Sequence, residues 1–212
     1  MEVRIITGYS KTPANEVALS LRDILKYTGH NVDVVDPFAR ERSSYIFNLT
    51  LLTKSPTKNL VEISEEQLPK KNIDVLIGYS YGGAMAILQS KCRTNKMVLL
   101  SPALADNTVI WSPVQKTLKR FFLPALKDMG SKELSEKLFQ RLKVKKQEGV
   151  QIIFFLPCDE MGNIGDERVV YDYEIREKMK ELGQIYYIPA KRHRDMISNP
   201  KIVGRIIERL NI

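Results

Sequence analysis

The chain is poor in the residues that would signal the simplest functional classes. Only two cysteines, Cys92 and Cys158, and two histidines, His30 and His193, occur in 212 residues. Two isolated thiols do not make a disulfide framework. No metal-ligand cluster and no cofactor motif is evident, so neither a metal nor a cofactor is expected. No apolar run approaches the ~18 residues of a membrane span. The N-terminus enters a strand-like run, Val3–Thr7, without the basic and apolar regions of a signal peptide. These absences predict a reduced, cytoplasmic protein. Gly8 is followed by Ser10-Lys11-Thr12, but the spacing is not that of a phosphate-binding loop.

Hydrophobic residues make up 43% and charged residues 27%, as in ordinary globular domains. The net charge of +8 is concentrated. Between Gln115 and Lys146 there are ten Lys or Arg against three Asp or Glu, which leaves the rest of the chain nearly neutral. A uniformly basic surface would point to nucleic acid. One basic segment on a neutral body does not.

Short apolar runs alternate with amphipathic ones. Strands are predicted at Val3–Thr7, Val32–Val35, Ile73–Tyr79, Lys96–Leu100, Gln151–Leu156 and Gln184–Ile188. Their Ile, Val, Leu, Phe and Tyr content suits fully buried parallel strands. Helices are predicted at Pro13–Tyr27, Gly83–Lys91, Asp166–Leu182 and Pro200–Leu210. Such alternation implies right-handed crossovers and a doubly wound α/β sheet. Two stretches break the rhythm. Ser43–Lys71 is polar, with two short helices as its best reading. Ala103–Gly149 is too long for a simple connection and holds the excess charge, so it reads as a basic helical cap inserted into a single domain.

The densest signal is Gly78-Tyr-Ser80-Tyr-Gly82-Gly83. A buried-strand pattern runs into it and a helical pattern follows at once, which is the context a nucleophile elbow requires. A serine in that strained turn is lifted above the sheet edge, and the helix N-terminus favours negative charge developing beside it. His30 falls at the start of a strand, the wrong end of such a sheet. His193 follows the last strand, at the edge where Ser80 is expected and where parallel sheets place their chemistry. Cys92 and Cys158 are then expected too far apart to bond, since the elbow helix alone spans ~15 Å.

These features together resemble the α/β-hydrolase superfamily, in particular its small intracellular serine hydrolases. The resemblance spans nearly the whole chain. Ile5-Ile6-Thr7-Gly8-Tyr9 is similar to the family's strand-ending His-Gly motif, with Thr7 in place of histidine. Met97–Pro102 is similar to the next strand and its exit, and the run from His193 to Pro200 to the terminal histidine motif. The resemblance implies a six-stranded, mostly parallel sheet in the order 2-1-3-4-5-6, without the family's first two strands. It implies a Ser80–His193 pair, backbone N–H groups of Tyr9 and Tyr81 as the oxyanion hole, and an acid just after the fifth strand. Asp159 has the expected offset, although Leu156 stands where the family usually has glycine. Asp166, spaced more typically from His193, and Glu160 are the alternatives. The implied activity is cleavage of a small-molecule carboxylic ester or thioester, acyl or anionic in character, through an acyl-enzyme. Trp111, Phe121, Phe122, Leu123 and Leu126 are candidates to line an acyl pocket. The competing readings are an inactive binding protein on a hydrolase scaffold and a basic-cap binder of nucleic acid or anionic membrane. The sequence does not indicate the oligomeric state.

Overall fold

Six parallel strands form one sheet in the order β2-β1-β3-β4-β5-β6, with β1 at Glu2–Ile6, β2 at Asn31–Val35, β3 at Lys71–Tyr79, β4 at Cys92–Leu100, β5 at Gln151–Cys158 and β6 at Gln184–Pro189. The computed structural model describes residues 1–8, 14–36, 71–104, 132–166 and 168–212. The expected strand order is therefore found, with every described pairing parallel. β3 and β4 begin earlier than their apolar runs suggest, because Lys71 and Asn72 pair with Cys92 and Arg93 at the polar edge of the sheet. There β4 alternates between buried and exposed residues and carries no continuous apolar signal.

Helices cover both faces. On one lie α1 (Ala14–Val17), α2 (Leu19–Tyr27), the short α6 (Asp195–Ser198) and the C-terminal α7 (Pro200–Leu210). The opposite face carries α3 (Tyr81–Leu88), α4 (Lys132–Gln147) and α5 (Tyr173–Leu182). This division follows from handedness. The step from β1 to β2 runs in one direction along the sheet and the steps from β3 to β6 in the other, so right-handed crossovers place their helices on opposite faces. The reversal falls between β1 and β3, the switch point where open α/β sheets bind ligands.

Each helix is legible in its residues. In α7, Asn199 accepts a hydrogen bond from Lys201 N, Pro200 occupies the first turn, and Ile202, Val203, Ile206, Ile207 and Leu210 are buried. α5 starts at Tyr173 rather than at Asp166, because Asp172 is its cap and accepts from Ile175 N. The residues before it form a loop. α4, within the segment read as an inserted cap, buries Leu134, Leu138, Phe139 and Leu142 in the same core cluster as α3 and α5. It is thus part of the layer over the sheet, with Lys132, Lys137, Lys143 and Lys146 exposed and Lys145 turned in to donate to Gln89 O. Residues 105–131, including Trp111, Phe121, Phe122, Leu123 and Leu126, lie outside the described residues, as does the polar stretch 43–70.

Cys92 opens β4 and Cys158 closes β5, at opposite edges of the sheet, and both are free thiols. None of the described helices is long and apolar enough to cross a membrane.

Candidate active site

Because the strands are parallel, everything that follows a strand emerges at one rim. Ser80 follows β3, Ser101 follows β4, Asp159 and Asp166 follow β5, and His193 follows β6. Hydrogen bonds continue the ladder past the strand ends. Ser80 N donates to Leu100 O at 3.0 Å, Ser101 N to Phe155 O at 2.9 Å, and Ala190 N to Cys158 O at 3.2 Å. The site is therefore held by the sheet itself.

Ser80 has φ 55° and ψ −123°, a conformation that costs a side-chain-bearing residue about 1–3 kcal/mol. The surroundings impose it. α3 begins at the next residue and packs so closely on the sheet that a Cβ on Gly82 would lie 2.1 Å from Ile6 O. A Cβ on Gly8 would lie 2.9 Å from Ser80 Cβ and 3.2 Å from its Oγ, so the chain leaving β1 passes directly against the serine. The glycines on either side of this turn are required by close approach. Gly82→Ala is expected to destabilise the fold by on the order of 3 kcal/mol, because its clash is with backbone that cannot give way. Urea unfolding of the variant measures this.

His193 is nearly buried, and its ring lies 5.0 Å, centroid to centroid, from that of Tyr79, the residue before Ser80. Its Nδ1 is 2.8 Å from Asp166 Oδ2, and the Asp166 side chain has no exposed surface. Burial works against the Asp166 charge. The hydrogen bond and charge of His193, with the Arg168 and Val169 N–H groups on Oδ1, outweigh it and hold the carboxyl below its ordinary 3.8. Asp166 is therefore an ionised, fully engaged carboxylate. Since it only accepts, Nδ1 carries the proton between them, and the contact orients the ring with Nε2 turned away from the carboxylate.

Asp159, the acid first expected, is elsewhere. Its carboxylate closes its own turn, accepting from Met161 N at 2.9 Å, Asn163 N at 2.8 Å and Asn163 Nδ2 at 2.8 Å. Those Asn163 bonds, with the Met161 and Gly162 amides, lower its pKa without any contact with His193. The turn reverses the chain, and Gly165 N then donates to Pro157 O at 2.8 Å. This brings the following residue, Asp166, back to the strand end. Glu160 is exposed and reaches Lys191 Nζ at 3.4 Å. The spacing to His193 and the likeness of Asp166-Glu-Arg-Val169 to the residues that follow the family's acid were the sequence signals for Asp166. The turn that delivers it is a sum of individually weak Asx and glycine preferences.

Tyr81 is the first residue of α3, and first-turn amides point out of the helix N-terminus. Tyr9 lies outside the described residues. Thr7, standing where the resemblance led one to expect histidine, is buried and donates its N–H to Val35 O at 3.1 Å. Leu156 is a fully buried core residue of β5. His30 precedes β2, at the edge away from Ser80. Burial and then the nearby Asp159 charge push the Cys158 thiol above the ordinary 9.0, which disfavours its thiolate. Sequence reading passed over two residues here. Ser101 Oγ lies 3.1 Å from both Asp166 Oδ2 and His193 Nδ1, and Tyr171 donates its hydroxyl to Pro102 O at 2.9 Å. Among the described residues no group of His, Cys, Asp and Glu is placed to hold a metal ion.

A strained serine at the head of a buried helix, on the rim of a parallel sheet that also carries an engaged histidine, defines an architectural class. The chain has the α/β-hydrolase fold. Its backbone is similar to homoserine O-acetyltransferase from Staphylococcus aureus (TM-score 0.60, 11% identity, 100% of this chain and 85% of that one). It is also similar to the esterase domain of a Rhodothermus marinus protein (0.51, 13%, 99% and 84%). A third similar structure is the ydeN gene product of B. subtilis (0.52, 13%, 99% and 98%). No family model and no curated protein matches the chain by sequence.

Proposed function

We propose that this protein is a serine hydrolase that cleaves a carboxylic ester or thioester through an acyl-enzyme, with Ser80 as nucleophile, His193 as general base and Asp166 as the acid of the triad. The observation that carries this reading is the pairing of a serine at φ 55° with a histidine on the same rim whose Nδ1 is held by a buried carboxylate. The esterase domain and the acyltransferase of like fold add to it.

In this mechanism Ser80 Oγ bonds to the substrate carbonyl carbon as its proton passes to His193 Nε2. The N–H groups of Tyr9 and Tyr81 take the oxyanion, a contribution typically of ~3 kcal/mol for each donor. The tetrahedral intermediate collapses, and the alcohol or thiol leaves with the proton from Nε2. Water then attacks the acyl-enzyme, gives a proton to Nε2 and releases the acid as that proton returns to Ser80. Asp166 stays ionised throughout, and its charge stabilises the transient imidazolium.

The test uses the intact chain. A fluorophosphonate probe is expected to label Ser80 in folded protein, with peptide mapping as the readout, and denaturation to abolish labelling. A p-nitrophenyl ester series then gives the acyl-length preference. A folded protein that neither labels nor turns over any ester in the series would overturn the proposal.

A further inference from the structure

We infer that Ser101 is a positioning residue that holds His193 and Asp166 in register, an inference that rests on the triad reading above. Ser101 is fully buried one residue past β4, and its backbone has φ 44°. Its Oγ lies 3.1 Å from Asp166 Oδ2 and 3.1 Å from His193 Nδ1, so one hydroxyl touches both partners.

The protons can be assigned. Asp166 is ionised and accepts only, so the hydroxyl hydrogen goes to Oδ2. His193 Nδ1–H also donates to Oδ2, at 2.8 Å, and the Ser101 lone pairs face that same N–H. The imidazole N–H is thereby bracketed by two acceptors, and Oδ2 by two donors. Oδ1 is occupied by the Arg168 and Val169 amides. Asp166 arrives on a loop after β5 and His193 after β6. Ser101 anchors both from the exit of β4, a strand paired on both sides, with β3 and with β5.

Ser101 is not a rival nucleophile. It is buried and sits at the same ring nitrogen as the acid, whereas the base must act through the other one. Nor does the bend need a serine. Its backbone is fixed by Ser101 N on Phe155 O and by the Tyr171 hydroxyl on Pro102 O. Glycine would adopt the same positive φ without strain. What serine adds over glycine at this position is the hydroxyl. Backbone strain kept for the sake of a side chain, inside a reactive cluster, points to function.

The experiment compares Ser101→Gly and Ser101→Ala with wild type in three measurements: p-nitrophenyl acetate kinetics, thermal midpoint and the downfield proton resonance of His193 Nδ1–H. Both variants should lose about tenfold in kcat with KM unchanged, the scale of one hydrogen bond to a charged group. Ser101→Gly should melt no lower than Ser101→Ala, since it relieves the strain, yet be no more active. The resonance should move or broaden in both. Wild-type kcat with an unmoved resonance in either folded variant would overturn the inference. So would a loss confined to KM, or activity that tracks the melting temperature. The resonance reads the positioning even in a protein that hydrolyses nothing, so a failed esterase assay and a failed Ser101 role are distinguishable.

Discussion

Ser80→Ala is expected to reduce ester turnover by about 10⁵- to 10⁶-fold, to the residue of catalysis that binding and oxyanion donors supply alone. The fold should be untouched, because alanine inherits the same strained φ and the glycine contacts around it are unchanged. Ser80→Gly should lose as much activity while gaining about 1 kcal/mol of stability, the strain being no longer imposed on a Cβ. Activity is measured by burst and steady-state release of p-nitrophenol, and stability by urea titration. Turnover that survives both substitutions would remove Ser80 from the mechanism.

Asp166→Asn should cost about 10⁴-fold in kcat, since an amide holds the imidazole in the wrong tautomer and cannot balance the imidazolium charge. Asp159→Asn should leave turnover near wild type, because its carboxylate serves only its own turn. The two variants together choose between the acid that position suggested and the one the fold brings to the histidine. The Asp166 variant should also change the acid limb of stability. Its carboxyl has a folded pKa below the ordinary 3.8, so its contribution is present above that value and fades as pH falls through the lower folded one. Wild type should lose this increment on acidification, and Asp166→Asn should lack it from the start. Acid titration followed by circular dichroism measures the difference.

The Gly78–Gly83 elbow was legible from residues alone because its chemistry is local: a strand, a sterically forced turn and a helix, all within a dozen residues. The place of His193 on the Ser80 rim was legible because a parallel sheet delivers the ends of all its strands to one rim. Which carboxylate meets His193 was not, since the loop after β5 holds three carboxylates within eight residues, and offset alone does not say which one turns inward. Ser101 bears no catalytic motif, and its contacts arise only with residues in the loops that follow two other strands.

By itself, then, the sequence determined the alternation of strands and helices and the serine turn, because periodicity and short-range sterics act along the chain; the strand order came from the family resemblance. Tertiary structure decided which carboxylate meets the imidazole, that α4 joins the layer over the sheet, and that a buried hydroxyl binds the pair together. Those outcomes depend on distances between segments tens of residues apart, which only the closed packing of the sheet and its loops sets.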